Sequence, residues 1–126
     1  MQDYTEDKIK QDLFVEIQIL EQNYSVIKNF LSGEDYDVTV IGEAIHSFKD
    51  SLSRASAFVL ALYNLKGKRV NIPWEPLFTS LDYALATISV SSSIKQKVAV
   101  KTILSMSEEQ IGQVLSYFLA LKEAMK

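Results

Sequence analysis

The sequence predicts an all-α protein: one domain over residues 1–126, folded as a single antiparallel helical bundle of four long helices plus one short helix. Three observations carry that expectation. Apolar residues recur at alternating steps of three and four over long stretches, the spacing that keeps one side of a helix apolar. Ser32-Gly33 and the stretch from Gly67 to Pro76, which holds both prolines, interrupt the pattern. The composition, 48% hydrophobic and 23% charged over 126 residues, suffices for a core without staples, and the chain has no cysteine to make one.

The first helix is expected from about Thr5 to Leu31, with Leu13, Ile17, Leu20, Tyr24, Ile27 and Leu31 on its core stripe. Asp3 or Thr5 is the expected cap, with Glu6 and Asp7 where the partial positive charge of a helix start favours acids. A second stripe, Val15, Ile19, Val26 and Phe30, widens its apolar surface toward a second neighbour. Gly33 ends it by taking a left-handed conformation. The loop that follows is short and polar, and short helix–helix loops join antiparallel neighbours.

The second helix, Val38 to Leu65, has the cleanest spacing: Ile41, Ile45, Phe48, Leu52, Ala55, Val59 and Leu62, capped by Asp35 or Asp37. After "NLKGKRVNIPWEP", Pro73 or Pro76 falls in the first turn of a third helix, where a missing N–H costs nothing. Its stripe is Trp74, Phe78, Leu81, Leu85 and Ile88. From Leu77 to Ile94 the only charge is Asp82, so this helix is either central in the bundle or part of an interface. Residues 94–105 suit a short helix with Ile94, Val98 and Ile103 or Leu104 on one side, although Val98, Val100 and Thr102 also alternate as in a strand. Ser107-Glu108-Glu109-Gln110 has the form of a capping box and is expected to start the last helix, whose stripe is Ile111, Val114, Phe118, Leu121 and Met125.

Net charge is −3, unevenly spread. Residues 1–50 carry eleven Asp/Glu against four Lys/Arg, and the remainder five against nine. The expected outcome is compensation between the two halves inside the fold, the alternative being head-to-tail pairing with a neighbour. The N-terminal residues have no basic segment followed by an apolar one, and no stretch is apolar for the length a bilayer span needs. A soluble, cytoplasmic protein with no membrane partner is expected.

Most catalytic chemistry fails on inventory. A Ser-His-Asp triad has only His46 to use, and that residue lies inside a regular helix. Bundle metal sites need Glu-x-x-His twice, which a single histidine does not supply, and four dispersed glycines make no phosphate loop. No catalytic residue, cofactor or metal ligand is therefore expected.

His46 and Lys49 lie one residue round from the core stripe, with Glu43 and Asp50 at helical-neighbour spacing. An exposed imidazole beside a cation suits phosphoryl acceptance, because the ring nitrogen is a nucleophile and the cation balances the incoming charge. "IHSFKDSLSRAS", with its small residues Ser51, Ser53, Ala55 and Ser56, and the preceding "IKNFLSGEDYDVTVIGEAIHSFK" resemble the histidine-phosphotransfer domains of two-component relays. Those are four-helix bundles of similar length whose signature is a helical His-x-x-Lys-Gly followed by small residues. The resemblance implies His46 as phosphoacceptor, Lys49 as its charge partner and a receiver domain as the other protein. Asp50 stands where that family has a glycine that lets the partner approach, and its charge opposes a phosphoryl group. Ser56 stands near a second expected glycine.

Two other surfaces suggest partners. The basic clusters around Lys66, Lys68 and Arg69, and around Lys95, Lys97 and Lys101, suit nucleic-acid phosphates, as in a small subunit of a ribonucleoprotein complex. A sequence pI near 5.1 and the lack of an aromatic-interleaved basic groove weigh against that. The charge-poor third helix is the stronger candidate, with Trp74, Phe78, Asp82 and Tyr83 as contact residues. The leading expectation is a non-catalytic bundle acting on another protein or on a copy of itself, with phosphotransfer and nucleic-acid contact as alternatives.

Overall fold

The repeating apolar spacing resolves into four helices: α1 (Gln2–Leu31), α2 (Val38–Leu65), α3 (Glu75–Val90) and α4 (Ile94–Met125). The computed structural model describes residues 2–67, 74–90 and 94–126, without the side chains of 2–4, 75, 88–90 and 94–96. Among the described residues there is no strand, and the fold is all-α.

Gly33 ends α1 through a paired closure. The Glu34 N–H donates to the Asn29 carbonyl at 3.0 Å and the Gly33 N–H to the Phe30 carbonyl at 3.2 Å. This arrangement satisfies carbonyls that a helix end otherwise leaves unpaired, and it requires a left-handed residue at Gly33, whose φ is 110°. Of the two candidate caps for α2, Asp37 acts: its carboxylate accepts from the Thr39 N–H at 3.0 Å. The helix begins at Gln2, ahead of the α1 caps expected at Asp3 or Thr5.

Helix α1 packs against α2 and α4, and α3 packs against the same two. Glu6 meets Lys66, Glu16 meets Arg54 and Asn23 meets Ser47, so α1 and α2 run in opposite directions. Trp74 lies on Tyr117 and Phe118 while Tyr83 shares a groove with Met106, which sets α3 opposite to α4 in the same way. All seven stripe residues of α2, from Ile41 to Leu62, are buried. They meet Leu13, Ile17, Leu20, Ile27 and Phe30 of α1, and Leu81, Leu104, Ile111 and Phe118 from the other two helices, in one cluster. Each such side chain contributes about 1.5–3 kcal/mol on burial, set against the entropy of ordering it.

The expected short helix is not separate. Residues 94–125 form one helix of 32 residues, and Ser107 lies inside it, buried, with its hydroxyl donating to the Ile103 carbonyl at 3.3 Å. The reason is packing: Val100, Leu104, Ser107, Ile111, Val114 and Phe118 continue one stripe in unbroken steps of four and three, all buried. The strand alternative for 98–102 falls with it. Two apolar residues assigned to core faces are exposed instead, Val15 of α1 and Val98 of α4. On α3 the buried stripe is Leu77, Leu81 and Ala84, with Trp74, Phe78 and Leu85 half-buried at its edge.

The charge asymmetry is compensated within the chain. Glu6–Lys66, Glu16–Arg54 and Asp35–Lys97 each join an acid of the first fifty residues to a base of the remainder.

Candidate functional site

His46 is exposed on α2, and its Nε2 stands 3.5 Å from the Asp50 carboxylate one turn along. The Lys49 ammonium is directed away, into an ion pair with Asp82 of α3. The imidazole thus has a carboxylate where a phosphoryl group would arrive, and the cation that would balance the phosphoryl charge is held by another acid. Electrostatically this is a surface ion-pair arrangement with an attached imidazole.

The basic clusters are equally engaged where they are described. Lys66 pairs with Glu6 at 3.6 Å, Lys97 pairs with Asp35, and the Lys101 ammonium lies 5.6 Å from the centre of the Phe30 ring. The Lys97 ammonium beside Asp35 holds that carboxyl below its ordinary range, chiefly through the hydrogen bond and then through its charge. Lys68 and Arg69 lie outside the described residues, as does the side chain of Lys95.

The structure separates the four contact candidates of α3. Trp74 precedes the helix and its carbonyl accepts the Phe78 N–H at 3.1 Å. Its indole meets Tyr117 edge-on at 5.6 Å and tilts over Phe118 at 6.4 Å. Those two rings are themselves edge-to-face at 5.2 Å, which makes an aromatic plug between the start of α3 and the second half of α4. The indole Nε1 is buried there without a hydrogen-bond partner among the described residues. Burial, with a smaller contribution from nearby Tyr63, pushes the Tyr117 phenol above its ordinary range. Phe78 is half-buried against the core, and Asp82 is committed to Lys49. Tyr83, at 66% exposure, projects outward beside the exposed Asp82.

Around Tyr83 the structure adds residues that the sequence did not mark. A groove of about 390 Å³ between α3 and α4 is lined by Pro76, Ser80, Tyr83, Ile103, Met106 and Gln110, with Ser107 at its floor. It continues over the outer face of α4 into a shallower depression lined by Val98, Lys101, Thr102, Ser105 and Met106. Met106 belongs to both and is 81% exposed, and Val98 is 62% exposed. Met106, Tyr83 and Val98 are the three most exposed large apolar side chains among the described residues, and they share this one continuous band. Among the described residues Lys101 is the only charged one lining these two depressions, and Val98 and Lys101 also line a neighbouring pocket with Glu34, Asp35 and Lys97. The signal for Met106 is partial: it falls off the buried stripe that runs through Leu104 and Ser107.

A third helix in the middle of the bundle is not what forms. Helix α3 rests chiefly on α2 and α4, so its outer side, with Asp82 and Tyr83 exposed, reaches solvent. Among the described residues no group of three or more His, Asp or Glu side chains is placed to hold a metal ion, and no helix is long and apolar enough to cross a membrane. No protein-family model matches the chain, and comparison with curated proteins and with solved structures gives no match.

Proposed function

We propose that this chain is a non-catalytic protein that acts by contact with another protein, as a regulatory or assembly subunit, and that its helices form a single antiparallel bundle displaying the contact face. One observation carries the reading: Met106, Tyr83 and Val98, the three most exposed large apolar side chains among the described residues, fall on one continuous band in which Lys101 is the single charge among the described lining residues. Single apolar residues scattered over a surface are ordinary, whereas a connected uncharged patch is the composition of a contact centre. Tyr and Met suit that role because both present broad apolar area, and the thioether adapts to the shape it meets. Of the four α3 candidates, Tyr83 makes the contact. Trp74 and Phe78 hold α3 against the core, and Asp82 ties it to α2. A cysteine-free chain suits the reducing cytoplasm, its proposed location.

The test is a photoreactive amino acid placed at position 106 and activated in cells that make the protein. A protein adduct from position 106, and none from position 15 on the outer side of α1, is the expected result. No adduct from position 106 overturns the reading.

A further inference from the structure

Resting on the reading of the α3–α4 band as a contact face, we infer that Met106 is a site of reversible oxidation by hydrogen peroxide, and that its sulfoxide turns the contact off while the bundle stays folded. The chain has no cysteine, so no thiol competes for the oxidant and the thioethers are its only sulfur groups. Of the three methionines, Met1 lies outside the described residues and Met125 is half-buried against the core, whereas Met106 is 81% exposed. Met106 also lines both depressions of the band, so one added oxygen alters the face where the two meet.

The step needs peroxide and no other reactant. A lone pair on the Met106 sulfur attacks one peroxide oxygen, the S–O bond forms and the O–O bond breaks. The proton of the attacked oxygen passes to the departing one, which leaves as water. Sulfur is oxidised by two electrons and the peroxide is reduced by two. A reductase dithiol reverses the change, becoming a disulfide as the oxygen departs as water. The oxidised side chain is polar, and covering its oxygen with an apolar partner surface leaves a strong acceptor unsatisfied. In the free chain, Gln110 lies one helical turn on and lines the same groove, with an amide N–H to donate to that oxygen. The core is untouched, because the buried stripe passes through Leu104 and Ser107 and leaves Met106 outside it.

Purified chain treated with hydrogen peroxide and followed by peptide mass spectrometry tests the site. Met106 is expected to gain one oxygen at least about tenfold faster than Met125, with the helical circular dichroism unchanged. Equal rates, or helix lost in step with Met106 oxidation, overturn the inference. The switch is tested in cells with the photoreactive amino acid moved to position 83, which leaves Met106 in place. Its adduct is expected to be lost after a peroxide pulse and to persist through the same pulse in a Met106→Leu chain. An adduct that survives oxidation of Met106, or that is lost equally in Met106→Leu, overturns the switch and leaves the contact reading standing. An adduct absent even before oxidation removes both.

Discussion

Lys49 of α2 and Asp82 of α3 form an ion pair that bridges the two helices. Each is a residue that the sequence marks for a separate task, Lys49 as the charge partner of His46 and Asp82 as a contact residue, and the fold spends both on each other. Because both side chains remain substantially in water, the pair is expected to couple by about 0.2–1 kcal/mol in a double-mutant cycle of Lys49→Ala and Asp82→Ala. Urea unfolding of the two single variants and the double variant measures it. A coupling near zero at high salt, with a measurable one at low salt, is the companion result.

Glu16 and Arg54 are paired under different conditions. The Arg54 Nε donates to the Glu16 carboxylate at 2.7 Å, and Glu16 is buried where α1 meets α2. Arg54 also reaches the buried hydroxyl of Ser51 at 3.4 Å. Arg54→Ala strands a buried carboxylate and is expected to cost about 1–3 kcal/mol, more than Lys49→Ala. Replacing both partners, as Glu16→Leu with Arg54→Ala, is expected to recover most of that loss, because no buried charge is then left unpaired. Equilibrium unfolding of the three variants gives the ordering.

Ser107→Ala separates the two accounts of residues 94–125. A serine that caps a helix start is worth about 0.5–2 kcal/mol over alanine. A serine inside a helix that bonds back to the carbonyl four residues earlier is worth little, and alanine is the better helix former by a few tenths of a kcal/mol. With the Ser107 hydroxyl on the Ile103 carbonyl, the expected change is within about 0.5 kcal/mol and of either sign. A loss of about 1 kcal/mol or more would restore the break at Ser107.

Tyr117 should limit stability in alkali. Burial, followed by the influence of Tyr63, raises its phenol in the folded state. Above the ordinary phenol range the unfolded chain therefore binds fewer protons than the folded one, and stability falls as pH rises from the ordinary phenol value toward the raised one. Below the ordinary value this contribution is fully present. Tyr117→Phe keeps the ring against Trp74 and Phe118 while removing the proton, so the variant should lose less stability than the wild type over that window. Thermal unfolding across the alkaline range tests the slope.

Acid should loosen the link between the α1–α2 connection and α4. The Lys97 ammonium depresses the Asp35 carboxyl, so the contact is intact above the ordinary carboxylate range and is lost as pH falls through the depressed value. Asp35→Asn should therefore differ from the wild type at neutral pH and converge with it in strong acid, as followed by hydrogen exchange around Gly33 and Lys97.

Much of the fold was legible because periodicity belongs to a single helix. The α2 stripe from Ile41 to Leu62 can be counted along the chain, and every member is buried. Gly33 was equally readable and the α2 cap was narrowed to Asp35 or Asp37, since a left-handed closure and a side-chain cap depend on residues close in sequence. Local signals failed where one residue type serves two purposes. Ser107 followed by two glutamates looks the same as a cap or as an interior turn, and only its fit into the core between Leu104 and Ile111 selects the second.

The contact band shows the same division. Charge depletion between Leu77 and Ile94 was visible in the sequence, and it pointed to α3. Which of its residues face outward was not, because that depends on how many neighbours α3 has and at what height α4 passes it. The structure sends Trp74 into an aromatic plug, ties Asp82 to Lys49, and joins Tyr83 to Met106 and Val98 from a segment more than a helical turn away in sequence. By itself the sequence determined the helical fold class, most of the helix ends and the buried stripe of α2, all of which follow from local spacing and backbone preference. The tertiary structure alone decided the continuity of α4, the pairing of each charge and the membership of the exposed band, because burial is a property of neighbours and no single helix contains its own.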